Sequence, residues 1–180
     1  DMAQFHWWDT GVPGYVDFAM NMKKMQDKGM IGLLGVTNFN TAALRELVEA
    51  GYPLVTNHIQ YSVLDRRPEQ QMIDFCAEQD AHLFCYGALA GGFLTDDWLG
   101  QPEPAKAFSN RSLTKYKLII DDFGGWGLFQ ELLQTLRSIA DRHEASIGQI
   151  AVAWNLSRPQ TGCAVVGATS TRHLDENLQI

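Results

Sequence analysis

Short apolar runs alternate with helical stretches along the whole chain, and this alternation restricts the fold more than any other feature. Met2–Trp8, Ile31–Asn38, Leu54–Tyr61, His82–Leu89 and Cys163–Gly167 are apolar, short and bounded by turn residues, as strands are. Between them the apolar spacing becomes that of a helix. Phe18, Met22 and Met25 mark one face of Tyr15–Gly29, and Leu44, Leu47 and Val48 follow a capping Asn40. Met72, Phe75 and Cys76 follow Pro68, a residue suited to a first helical position. Leu132, Leu133, Leu136 and Ala140 face inward in Leu128–His143. Ser146 and Gln149 form a capping box before Ile147, Ile150, Ala151 and Trp154, and that helix stops before Pro159. Ser170 caps a last helix through Leu178.

The order β-α-β-α-β-α-β-loop-α-α-β-α calls for parallel strands joined by right-handed crossovers. One long irregular segment, Phe93–Gly127, interrupts it. Its aromatic residues (Trp98, Phe108, Tyr116, Phe123, Trp126) predict an ordered lid, with a short helix of its own from Ser112.

Composition narrows the function. The chain has 180 residues, 46% of them hydrophobic, which suffices for one domain with a sizeable core. Net charge is −7 and no Lys/Arg run exceeds two residues, so neither nucleic acid nor an anionic membrane is an expected partner. No apolar run approaches the roughly 20 residues that span a bilayer, and no secretory leader is visible. Cys76, Cys85 and Cys163 form no Cys-x-x-Cys pair and read as small buried hydrophobes in a cytoplasmic protein. No histidine pair has metal-ligand spacing on one helix, so no metal site is expected.

Parallel strands bring their C-terminal ends to one face, the usual ligand side of an α/β fold. Here those ends carry His6; Thr37-Asn38; the run Asn57–Ser62; Tyr86 with the turn Gly87–Gly92; and Gly167–Ser170. The last is the most physical case. Gly167 leads through Thr169 and Ser170 into a helix whose unpaired N–H groups favour a phosphate, and Arg172 adds a cation.

These runs, in this order, resemble the C-terminal part of an aldo-keto reductase, a (β/α)8 barrel that uses a nicotinamide cofactor. His6-Trp7 resembles the family's His-Trp after the fourth strand. Gly35-Val-Thr-Asn-Phe39 resembles Gly-Val-Ser-Asn-Phe after the fifth, and Asn57-His-Ile-Gln-Tyr-Ser62 resembles Asn-Gln-x-x-Tyr-Ser after the sixth. Tyr86-Gly-Ala-Leu-Ala-Gly-Gly92 resembles Tyr-Ser-Pro-Leu-x-x-Gly after the seventh. Val166–Ser170 with Leu174–Leu178 resembles the closing nucleotide-binding segment.

The resemblance implies a partial (β/α)8 TIM barrel: residues 1–180 as parallel strands four to eight with their helices, and a long loop after the seventh. It implies transfer of hydride between NADP(H) and an aldehyde, ketone or alcohol. His6 would orient the carbonyl and stabilise the developing oxyanion. Thr37, Asn38 and His58 would hold the nicotinamide carboxamide, and Tyr86 would stack on its ring. Leu89 and Gly91 would lie along the pyrophosphate. Gly167, Thr169, Ser170, Arg172, Glu176 and Asn177 would surround the adenosine end. Trp7, Phe123 and Trp126 would wall the substrate.

Three departures matter. His58 stands where the family commonly has Gln. Gly167 and His173 stand where basic residues grip the 2′-phosphate, which leaves NAD as the alternative to NADP. The family's catalytic Asp, Tyr and Lys, which precede the His-Trp strand, have no counterpart in these residues. The isolated chain is therefore expected to be inactive as a reductase; the alternative is a non-catalytic nucleotide-binding or subunit-partner module. A doubly wound fold is disfavoured, because no Gly-x-Gly-x-x-Gly turn follows the first strand. Substrate identity and oligomeric state are not legible in the sequence.

Overall fold

A computed structural model describes residues 1–105, 108, 110–167 and 174–180. The elements run β1 (Met2–His6), α1 (Tyr15–Asp27), β2 (Leu33–Thr37), α2 (Thr41–Glu49), β3 (Leu54–Gln60), α3 (Met72–Glu78), β4 (His82–Tyr86), α4 (Arg111–Phe123), α5 (Gly125–Arg142), α6 (Ile147–Leu156), β5 (Thr161–Val165) and α7 (Leu174–Asn177). The strands form one sheet in chain order, β1-β2-β3-β4-β5, and the pairs β1–β2 and β2–β3 are parallel. Chain order equal to sheet order, with helix in each crossover, is the arrangement of a (β/α) barrel wall. The expected partial barrel is the fold observed.

The chain divides into two compact units. The first comprises residues 1–60, 67–85 and 159–163. Its strands alternate as the pleat requires. Phe5 and Val36 are buried, as are Leu44 and Leu47 of α2 and Phe75 of α3, and the Phe5 ring packs with Phe18 and Phe39. The neighbouring positions Gln4, Gly35 and Thr56 lie side by side across β1, β2 and β3, despite an irregularity between Leu34 and Gly35. Gly35 is glycine because this tier leaves no room for a side chain. Gln4 Nε2 donates to Thr56 Oγ1 at 2.8 Å across it, and a Cβ there would meet Thr56 Oγ1 at 2.1 Å.

The second unit comprises residues 61–66, 86–158 and 164–180. Its core is Phe93, Ile120, Phe129, Leu133, Ile147 and Ala151. Phe93 gathers an aromatic cluster, with ring centroids 4.7 Å from Trp98, 5.6 Å from Phe108 and 6.2 Å from Trp126. Among the described residues, the segment expected to form a lid packs its own aromatic residues with α5. Asn110 caps α4, which begins at Arg111, one residue before the expected Ser112. The capping box of Ser146 and Gln149 forms in full, as does the Asn40 cap of α2.

Several sequence expectations are corrected. The inward face of α1 is Tyr15 and Ala19; Phe18 and Met25 are 51% and 41% exposed. Tyr15 sets that rotation by donating its hydroxyl to Glu46 of α2, and Phe18 stacks at the side on Phe5, 5.2 Å between centroids. Pro68 sits in a separate 3-10 turn, and the helix behind it starts at Met72. β4 ends at Tyr86, since Gly87 turns the chain with φ 74°. β5 begins two residues before Cys163: Leu83 donates to Gln160 O at 2.7 Å, which sets the register from that point. The Ser170 cap lies outside the described residues.

Candidate functional site

In the first unit the sheet register assembles the expected residues. His6 of β1 is paired with Thr37 of β2, and Thr37 with His58 of β3. Each lies two positions beyond Gln4, Gly35 and Thr56, so the three share that tier's face, one layer further along the strands. Asn38 follows in the left-handed region, φ 59°, which Asn tolerates better than most residues. Its N–H donates to His58 O at 3.0 Å, which ties the end of β2 to β3. Asn57 points to the other side, where it is fully buried and its Nδ2 donates to Phe39 O at 3.0 Å. It braces the turn carrying Asn38, a supporting role visible only once the register is known. Burial holds the His58 imidazole below the usual histidine pKa, so it is neutral at neutral pH. A neutral ring offers one donor and one acceptor.

Trp7 is not on the His6 side. Its ring packs with Phe5 and with Phe18 of α1, and its Nε1 donates to Val12 O at 3.1 Å.

In the second unit a cavity of about 720 Å³ is lined by Leu89, Gly91, Gly167, Glu176 and Asn177, all expected cofactor residues. Thr169, Ser170 and Arg172, expected beside them, lie outside the described residues. The turn after Tyr86 presents a nearly bare wall: Gly87, Ala88, Gly91 and Gly92 all border the cavity. Gly91, at φ 67°, is required twice over. Its backbone conformation suits glycine, and a Cβ there would meet Tyr116 Cδ2 at 2.6 Å. Both the volume and the side-chain-free wall fit an extended nucleotide.

A further part of the wall was not anticipated as part of a site. Ser146, Gly148 and Gln149 bring the first turn of α6 to the cavity. Asp96 secures that turn, since its Oδ2 accepts from Ile147 N at 3.0 Å and its Oδ1 from the Arg137 guanidinium. Gln149 Nε2 donates to Glu176 O at 3.0 Å, joining α6 to α7. The capping box was the available signal for Gln149, but its second partner lies 27 residues away. Phe123 and Trp126, expected at the substrate, are not among the residues that line this cavity. Phe123 packs against the core cluster, and Trp126 lies within it and donates Nε1 to Gln101 O at 2.9 Å. Tyr86 closes β4, with the Lys115 ammonium 4.8 Å from its ring centroid.

Comparison with known proteins agrees with this fold. The aldo/keto reductase family model matches residues 1–180, and the chain belongs to that family. An uncharacterized oxidoreductase of Mycobacterium tuberculosis is 29% identical over 180 residues, 98% of this chain and 52% of the relative. Flagellar radial spoke protein 5 of Chlamydomonas reinhardtii is 25% identical over 91% of this chain and 34% of its own length. Among solved structures, a thermostable aldo-keto reductase bound to the inhibitor epalrestat superposes with TM-score 0.72 at 26% identity, covering 99% of this chain and 53% of that one. A glycerol dehydrogenase of Gluconobacter oxydans shares the fold, with TM-score 0.79 at 23% identity over 98% of this chain and 53% of its own. The chain spans about half the length, or less, of these relatives. Among the described residues, no helix is long and apolar enough to cross a membrane.

Proposed function

We propose that the chain is the C-terminal portion of a single aldo-keto reductase barrel, strands four to eight. In the whole protein, a cytoplasmic enzyme, it serves to reduce an aldehyde or ketone with NADP(H), or to run the reverse oxidation. The observation that carries the reading is the cavity wall. Residues from the turn after β4, from Gly167 and from α7, far apart in sequence, border one volume.

Leu89 and Gly91 would flank the pyrophosphate, and Gly167, Glu176 and Asn177 the adenosine end, together with Thr169, Ser170 and Arg172. Thr37, Asn38 and neutral His58 would take the carboxamide, and Tyr86 the ring. When bound, the cofactor supplies the hydride that adds to the carbonyl carbon. His6 directs a ring N–H at the carbonyl oxygen and stabilises it as negative charge develops there. That oxygen ends as a hydroxyl by taking one proton, and we assign the donor to a part of the barrel outside these 180 residues. The half-buried Phe123 would offer its solvent-facing edge to the substrate, with Trp126 behind it in the core.

NADPH fluorescence titration of the full-length protein, run beside a turnover assay with a simple aldehyde, tests the reading. Binding with turnover is expected. Binding without turnover would identify a non-catalytic nucleotide-binding module, and absence of binding would refute both. The isolated 180-residue chain is expected not to turn over.

A further inference from the structure

We infer that Lys115 makes the site discriminate between the two redox forms of the nicotinamide, by holding a positive charge on the ring of Tyr86. The inference rests on the proposed stacking of the nicotinamide on Tyr86.

Lys115 lies in α4, with Nζ 4.8 Å from the Tyr86 ring centroid and 5.0 Å from that of Tyr116. Adjacent residues of one helix produce this bridge. Tyr116 is 8% exposed, and its ring occupies the space beside Gly91 that any side chain there would need. The buried ring fixes the rotation of α4, and that rotation delivers the preceding residue to Tyr86. Lys115 is itself exposed, so it keeps its hydration while lying over both rings.

The face of an aromatic ring carries negative quadrupolar potential, and an ammonium above it is attracted. The oxidised nicotinamide is a cation and the reduced one is neutral. On the Tyr86 ring the oxidised form competes for the same π-density and is repelled by the ammonium. The reduced form meets neither penalty. With the nicotinamide at van der Waals distance on the face opposite Lys115, the two charges stand about 8 Å apart, and their repulsion at a solvated site shifts relative affinity about threefold. If the nicotinamide takes the same face, the ammonium must withdraw, and the oxidised form again loses more. In either geometry Lys115 favours binding of the reduced cofactor over the oxidised one.

The test measures Kd for NADPH and for NADP+ in the full-length protein and in Lys115→Gln, Lys115→Arg and Tyr86→Ala variants. The ratio Kd(NADP+)/Kd(NADPH) is expected to fall about threefold or more in Lys115→Gln, mainly through tighter NADP+ binding. Lys115→Arg keeps the charge and the parent ratio. The difference should shrink as ionic strength approaches about 1 M, where the Debye length is near 3 Å. An unchanged ratio in Lys115→Gln, with Tyr86→Ala weakening both forms, overturns the inference and leaves the stacking intact. Equal tightening of both forms by Lys115→Gln also overturns it, because the lysine then acts by steric cover alone. Tyr86→Ala leaving both affinities unchanged removes the stacking itself, and the inference with it.

Discussion

Gly35→Ala probes the tier on which the His6 layer stands. The added Cβ would sit 2.1 Å from Thr56 Oγ1 and 2.5 Å from Gln4 Oε1, and no neighbour can clear it by a small shift. Gln4 can swing away, because its end is flexible. Thr56 cannot, because it is 2% exposed and β-branched. The methyl group therefore breaks the 2.8 Å Gln4–Thr56 hydrogen bond, at about 1 kcal/mol. Overpacking adds about 1–3 kcal/mol, and about 0.5–1 kcal/mol returns because alanine has less backbone freedom to lose than glycine. The net loss is about 1–3.5 kcal/mol. Urea unfolding followed by tryptophan fluorescence should show a lower midpoint with an unchanged slope. Thr56→Ala supplies the control, since it removes both the obstacle and the acceptor. The double variant should lose clearly less than the sum of the singles. A Gly35→Ala midpoint equal to the parent's, or strict additivity with Thr56→Ala, would refute the packing argument and the register behind it.

Other expectations follow from the same geometry. Gly91→Ala and Gly29→Ala place a side chain at nearly the same positive φ, 67° and 73°, but only the first meets Tyr116; the second has open space. Gly91→Ala should therefore cost about 1–3 kcal/mol more in denaturant unfolding, the overpacking share alone. Equal losses would show that backbone strain dominates at both. Asp96→Ala removes the acceptor for Ile147 N and the partner of Arg137. It should cost about 1 kcal/mol, as loss of a helix cap does, and weaken NADPH binding by loosening the first turn of α6. Unchanged stability and Kd would contradict that positioning role. Burial lowers the His58 pKa in the folded state below the ordinary histidine value of about 6.5, so the unfolded chain takes up the proton first. Stability is complete above that value and falls as pH drops through it. His58→Gln should flatten this part of the stability–pH curve, and a curve unchanged by the substitution would mean that His58 is not its source.

What the sequence displays is what depends on near neighbours. The Asn40 cap, the Ser146–Gln149 box and the placement of His6, Thr37 and Tyr86 at strand ends all follow from local chemistry, and the structure has each of them. The face of α1 did not follow, because Tyr15 is oriented by Glu46, 31 residues away. The packing of Trp126 with Phe93, Trp98 and Phe129 was not legible either, because those partners come from separate stretches of the chain. Asp96 and Lys115 carried no local signal. One acts on the start of a helix 51 residues away, and the other on a ring at the end of a strand.

The central claim is that His6 serves chemistry while the cavity of the second unit serves binding. The most direct test is His6→Ala in the full-length protein, with NADPH Kd and aldehyde turnover measured on the same preparation. The account predicts an unchanged Kd with turnover reduced by about 10²-fold or more, the scale of losing one oxyanion donor. Parallel losses in Kd and turnover, or retained turnover, would contradict it.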